Sequence, residues 1–187
     1  MRKIRNLNSE MKRITNVMLF LGFLACGVSA TAQIYNPNDK EGLRIFLRQA
    51  SAEAGKINAE QLGLQISDTT NWQTDESWVA MLAGLTWNTE DPKRLTNIGD
   101  FTDWSTGWYN KNLAGALDAS NWTALTSLMC YYNQLTNLDV NNNTALTGLH
   151  CGNNQLTTLD VSNNTALIYL NCRSNQLTTL DVSGNTV

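Results

Sequence analysis

Apolar and polar positions along the last third of the chain recur with a period of 21. Residues 123–143, 144–164 and 165–185 each read T-A-L-x-x-L-x-C-x-x-N-Q-L-T-x-L-D-V-x-x-N, without insertion or deletion. Within the units, Leu128 and Cys130, Leu149 and Cys151, and Leu170 and Cys172 stand two apart. Spacing of two is that of a strand with one buried face, so each unit predicts a short strand near its start. A single unit cannot bury that face alone. Stacked copies can, because neighbouring parallel strands lie about 4.8 Å apart and equivalent side chains then pile into ladders. Leu125, Leu146 and Leu167 form one predicted ladder, and Leu135, Leu156 and Leu177 a second. Val140, Val161 and Val182 line the opposite wall.

The polar positions recur as strictly. Asn133, Asn154 and Asn175 fall where the chain leaves the strand, exposing backbone groups inside the coil. A buried amide both donates to and accepts from such groups, so these three are assigned a structural ladder. Asn143, Asn164 and Asn185 are assigned to turns, because Asn tolerates left-handed backbone. Asp139, Asp160 and Asp181 lie beside a turn on the outward side, where a carboxylate caps backbone amides or stays solvated rather than collecting calcium. Cys130, Cys151 and Cys172 face the core as small hydrophobes. An odd number of thiols cannot all pair, equivalent residues on parallel neighbours would need strained disulfide geometry, and zinc needs about four ligands. Neither a metal nor a cofactor is predicted.

These units match the leucine-rich repeat pattern L-x-x-L-x-L-x-x-N-x-L. In their 21-residue, cysteine-bearing form they resemble the repeats of bacterial secreted and surface proteins of the internalin family. The resemblance covers residues 123–187, about a third of the chain. It implies a secreted or surface-attached bacterial protein that contacts other molecules through its repeats. The fold class expected is α/β: a leucine-rich repeat solenoid with parallel strands on the concave face and an irregular convex side, behind a Trp-rich helical N-terminal cap. The array stops at "DVSGNTV" with Thr186 opening a fourth unit, as a truncated array would. The exposed edge of an uncapped C-terminal coil invites self-association.

Ahead of the repeats the periodicity loosens. "NDKEGLRIFLRQASAEAG" predicts a helix with Asn38 or Asp39 as N-cap, Gly55 past its end, and Leu43, Phe46, Leu47 and Ala50 on one stripe. "AGLTWN" predicts a brief strand, and Leu95, Ile98 and Phe101 an irregular first repeat strand. "NKNLAGALDASNWTAL" imitates "NQLTTLDVSNNTAL" with two extra residues, and "TDWSTGWY" is read as an inserted loop. The organisation is therefore a cap over 33–92, an irregular coil over 93–122 and three regular units over 123–187. All six tryptophans (72, 78, 87, 104, 108 and 122) lie in the first two of these segments. The order of elements is similar to the N-terminal cap of plant-type leucine-rich repeat receptors, with Trp87 standing where that cap carries a cysteine. Packed tryptophans are expected to do the capping, with sugar-stacking Trp as the rival reading.

Residues 1–32 join a basic stretch to "VMLFLGFLACGV" and then Ala30-Thr31-Ala32, the layout of a signal peptide cleaved after Ala32. The apolar run is shorter than the roughly 20 residues of a spanning helix. No membrane span is expected in the mature chain, which is placed outside the cell or on its surface. A lipid anchor through Cys26 is the alternative, with Phe23 where such signals usually carry Leu. Losing Arg2, Lys3, Arg5, Lys12, Arg13 and Glu10 takes 13 basic and 16 acidic side chains to 8 and 15, and the net charge from −3 to −7. So acidic a chain, with no basic run, offers little to a phosphate backbone, and nucleic acid is not an expected partner.

An enzyme is not expected. His150 is the single histidine, and no G-x-S-x-G, H-E-x-x-H or phosphate-cradling glycine loop occurs. Asp75/Glu76 and Glu90/Asp91 sit in polar stretches. The residues alternating with the core positions point to the predicted concave side: Ser127, Met129 and Tyr131; Gly148, His150 and Gly152; Tyr169, Asn171 and Arg173. They vary while the framework does not. Met129, Tyr131, Tyr132, His150, Tyr169, Asn171 and Arg173 are the candidate binding residues, for a protein or glycan ligand.

Overall fold

The computed structural model describes residues 35–64, 79, 82, 84–90, 92–101 and 106–185. The predicted signal peptide with Cys26, Trp72, Trp78, Trp104, and the Asp75/Glu76 pair lie outside the described residues. Among the described residues two helices, α1 (Pro37–Leu47) and α2 (Asn58–Gln61), precede the strands. The strands follow: β1 (Leu85–Trp87), β2 (Leu95–Ile98), β3 (Ala114–Asp118), β4 (Ser127–Met129), β5 (Gln134–Asp139), β6 (Gly148–His150) and β7 (Tyr169–Asn171). One sheet has the order β1-β2-β4-β6-β7; a smaller one pairs β3 with β5. All neighbours are parallel except β1 and β2. The protein is thus mixed α/β, with a sheet dominated by parallel pairs.

The register is that of the repeat. Leu128 faces Leu149 and Leu149 faces Leu170, so each strand is laid 21 residues after its neighbour. Leu125, Leu128, Cys130, Leu135 and Val140 are wholly buried, as are Leu146, Leu149, Cys151, Leu156 and Val161 one coil later. Each leucine so buried contributes roughly 2 kcal/mol of transfer free energy. In the third unit Leu170, Cys172 and Leu177 are only partly covered, and Val182 is 48% exposed.

Asparagine side chains tie the coils together. Asn154 Nδ2 donates to Cys130 O and Cys151 O at 3.0 Å each, and its Oδ1 accepts Leu135 N–H at 3.0 Å. Asn133 and Asn175 repeat this pattern. The second set works differently from the expectation. Left-handed backbone falls at Asn110, Tyr132, Asn153 and Ser174 (φ 51 to 55°), not at Asn143, Asn164 or Asn185. Those three donate instead to carbonyls of the preceding coil: Asn164 Nδ2, for example, to Val140 O and Asn143 O at 2.9 Å each. Turn propensity names the residue type there, but the contact that matters is made across coils.

The irregular coil keeps this frame around an insertion. Trp108 N–H donates to Met129 O at 2.9 Å as Cys130 N–H does to His150 O, so Trp108 occupies the cysteine's seat. Ile98 pairs with Leu128. Between Ile98 and Trp108 the chain therefore has nine residues where the next coil has Met129 alone. The inserted loop is 99–107 rather than 102–109, and Trp108 is core. Its neck is closed by Gly99 and Gly107, both at positive φ and so close that a Cβ on either would lie 3.0 Å from the other's Cα. Phe101 leaves the apolar strand ladder on this loop. Further on, Leu113 to Leu117 is one residue longer than Leu135 to Leu138, and the β3–β5 register shifts between Gly115 and Ala116.

The helix is shorter than its apolar stripe suggests. Asn36, not Asn38 or Asp39, caps it, accepting from Asn38 N–H and Asp39 N–H with Pro37 at its start. That frees Asp39, which is fully buried, to accept from Arg94 Nε and Nη2 at 3.0 Å and from Leu95 N–H at 2.8 Å. The Asp39 carboxylate beside it raises the Arg94 pKa further. The helix stops at Leu47 because Gln49 turns to bond both Ala116 N–H and Ala116 O on β3, and Ala50 is left exposed. Phe46 stacks on Trp108 at 5.3 Å, and Trp122 Nε1 donates to Asp39 O at 3.1 Å. Trp108 and Trp122 are completely buried, while Trp87 packs edge-on against Tyr35.

Replacing Asn154 with Ala orphans the buried Leu135 N–H and empties the space between two coils. By the cost of an unmet buried group, we expect a loss of roughly 3 kcal/mol in urea unfolding. Asn175→Ala, in the half-open third coil, is expected to cost about a third of that. Equal losses for the two variants would contradict the ladder as the main tie between coils.

Candidate recognition surface

The face predicted as concave is not an open strand surface. Met129 is completely buried under the neck of the insertion, with its Cβ 2.9 Å from where a Cβ on Gly99 would sit. Ser127 Oγ donates to Gly99 O at 3.2 Å. Phe101 lies directly on Gly148, whose lack of a side chain makes the room. Met129 is therefore corrected from a contact residue to part of the packing beneath the loop.

What remains in view is a row of rings. Tyr132 meets Tyr109 at 5.7 Å; Tyr109 stacks on Tyr131 at 4.6 Å; Tyr131 stacks on His150 at 3.9 Å with 9° between planes. His150 then meets Tyr169 edge-on at 6.3 Å, and Tyr169 meets Phe101 at 5.0 Å. The middle is closed, with Tyr131 7% and His150 5% exposed, whereas Tyr109, Tyr132 and Tyr169 are 38%, 46% and 38% exposed. His150 is thus a spacer between tyrosines more than a contact residue. Asn171 is half-buried, with Oδ1 accepting Arg173 N–H at 3.3 Å. Arg173 is exposed, and Gly152 beneath it leaves room for its stem.

So Tyr131, Tyr132, His150 and Tyr169 are brought into one row, with Asn171 and Arg173 at its side. Phe101 and Tyr109 were missed. Their signal was indirect: Gly148 interrupts a column of larger residues between Ser127 and Tyr169.

Neither thiols nor carboxylates here are poised for chemistry. Burial pushes the Cys130 thiol up to about 12, raises Cys151 well above its ordinary value, and raises Cys172 as well. Burial, then the nearby Arg173 charge, lowers the His150 pKa below 6.5. Asp139, Asp160 and Asp181 accept the N–H two residues on, at 3.0, 2.9 and 2.8 Å. The Ser162 and Ser183 backbone amides hold Asp160 and Asp181 below the usual carboxylate range. These carboxylates border a shallow groove on the other side of the stack, with Asn137, Thr158 and Thr179. No helix among the described residues is long and apolar enough to cross a membrane.

Fold and face together define a repeat protein of stacked, leucine-rich 21-residue coils whose sheet carries a belt of aromatic rings. Among solved structures the chain is similar to the functional domain of InlJ from Listeria monocytogenes, which includes a cysteine ladder. Identity is 47%, over 41% of this chain and 17% of that one, with a TM-score of 0.40. The match thus spans less than a fifth of that chain's length. No family model and no curated protein matches the sequence.

Alkylation of the native protein with iodoacetamide, followed by mass spectrometry, is expected to label Cys172 first. Cys130 and Cys151 should react only on unfolding, since buried thiols of high pKa are inert. Rapid native labelling of Cys151 would contradict the ladder geometry. His150 yields a pH prediction. A lowered imidazole pKa favours the neutral form in the fold, so its contribution is complete above 6.5 and is lost as the pH falls below it. Wild type should therefore lose more unfolding free energy between pH 7.5 and 5.5 than His150→Phe. Parallel losses would remove His150 as the cause.

Proposed function

We propose that the chain is a non-enzymatic recognition module, exported to the cell surface or beyond, that binds a protein ligand through the aromatic belt. The observation that carries this reading is the belt itself. Three partly exposed tyrosines are held on a rigid, pre-stacked base of Tyr131 and His150, beside the exposed guanidinium of Arg173. Tyr and Arg are the residue types that dominate binding hot spots, and rings already stacked lose little freedom on contact. The signal-like segment at residues 1–32 supports export. The burial of Cys130 and Cys151 and a histidine spent on packing speak for binding rather than catalysis. The rival reading, a glycan held by exposed tryptophans, loses Trp108 and Trp122 of the irregular coil, which are sealed in the core.

The test is selection of peptides from a random display library on the full chain, followed by affinity measurement on variants. Tyr132→Ala, Tyr169→Ala and Arg173→Ala should each weaken the selected peptides by about tenfold or more, the usual effect of losing a hot-spot side chain. Arg173 is exposed, so its loss should hardly change thermal stability, whereas Tyr132→Ala and Tyr169→Ala, which also remove ring contacts, should lower it modestly. Selected peptides that bind all three variants unchanged would overturn the reading.

A further inference from the structure

The repeat frame leaves its twentieth position open, yet asparagine recurs there. Asn142 and Asn163 hold it in the first two regular units, with Thr144 and Thr165 two residues on. Asn121 and Thr123 form the same pair at the end of the irregular coil, and the third unit has Gly184 in that place. The backbone does not call for asparagine at these turns, since none of the three has positive φ. Nor does bonding: among the described residues, the side chains of Asn142, Asn163, Thr144 and Thr165 meet no hydrogen-bond partner. All four are exposed, while the residue between each pair is buried. Asn143 Nδ2 donates to Ala119 O and Trp122 O at 3.0 and 2.7 Å, and Asn164 Nδ2 to Val140 O and Asn143 O at 2.9 Å each. Holding the middle residue to the preceding coil turns both its neighbours outward.

Asn142-Asn143-Thr144 and Asn163-Asn164-Thr165 each have the form N-x-T, the acceptor triplet for an N-linked sugar. We infer, resting on the export reading above, that Asn142 and Asn163 carry N-linked sugar in the exported chain. In the transfer, the side-chain Nδ2 forms a bond to C1 of a sugar diphosphate donor. The bond from C1 to the diphosphate oxygen breaks, the diphosphate leaves with the electron pair, and Nδ2 gives up one proton. Neither amide is spent in the fold, so the product takes nothing from the core or from the asparagine ladders. The Asn121 pair is set apart, because Arg94 Nη2 binds both Asn121 O and Thr123 Oγ1, at 3.2 and 2.9 Å.

The test is tandem mass spectrometry, with electron-transfer fragmentation, of the full chain recovered from outside the cells that produce it. Hexose or hexosamine is expected on Asn142 and Asn163, with the peptide around Gly184 as the blank. Thr144→Ala and Thr165→Ala should each abolish the sugar on the asparagine two residues before, and Thr→Ser at either place should keep it. Both threonines are exposed, and native protection of Cys151 from iodoacetamide checks that the variants fold. A bare chain outside the cells overturns the inference and leaves the export reading standing. Sugar that persists on Asn142 in Thr144→Ala, or on Asn163 in Thr165→Ala, overturns it as well.

Discussion

Each coil carries its backbone through a sharp change of direction inside a dry core, and the groups exposed there must be paired. Asparagine meets that demand because one short side chain both donates and accepts. Asn154 binds a carbonyl of its own coil, a carbonyl of the coil before, and an N–H of the coil before. An unpaired buried group costs on the order of 1–3 kcal/mol, comparable to a buried leucine. Strand register and amide ladder must therefore land together, which is why three units tolerate no change in length. Where the length does change, at residues 99–107, the extra chain leaves and returns through a glycine neck, and Trp108 resumes the frame.

The start of the stack obeys the same accounting with different residues. A buried carboxylate is costly unless paired, and Asp39 is paired by Arg94 and by the first backbone amide of β2. One side chain thereby joins helix, strand and, through Arg94 to Thr123, the first regular unit. In this coil tryptophan stands in the cysteine's seat, and Phe46 of α1 stacks on it. This end of the sheet is closed by side chains too large to repeat.

Packing at the start of the stack also shapes the recognition surface. Gly99 and Gly107 lie against Met129 of β4, and Phe101 uses the bare backbone of Gly148 on β6 as a seat. The insertion removes Met129 from solvent and adds Phe101 to the row, while His150 is covered by stacking on Tyr131, so that a row of strand positions becomes a belt of edge- and face-stacked rings. Tyrosines 109, 132 and 169 and Arg173 are the side chains of this face left in view of solvent. Stacking fixes their orientation before contact, so little side-chain freedom is left to lose.

Much of this was legible in the residues. The strands, the leucine and valine ladders, the inward cysteines and the bonding of Asn133, Asn154 and Asn175 all follow from a period that admits one stacking. Helix α1 was visible as a stripe, but not its cap at Asn36 or its end at Leu47, because those depend on Gln49 and Asp39 reaching partners more than fifty residues away. The inter-coil role of Asn143, Asn164 and Asn185 was hidden because asparagine beside a turn reads equally as left-handed backbone, and only the stacked coils bring the carbonyls of the preceding coil within reach. The candidate face was legible only as a set of outward positions. Which of them are covered depends on a loop whose path no local pattern encodes, and on a small residue, Gly148, two coils away from it in sequence. Periodicity determines what each repeat must bury; only the folded chain decides what the one irregular coil lays on top.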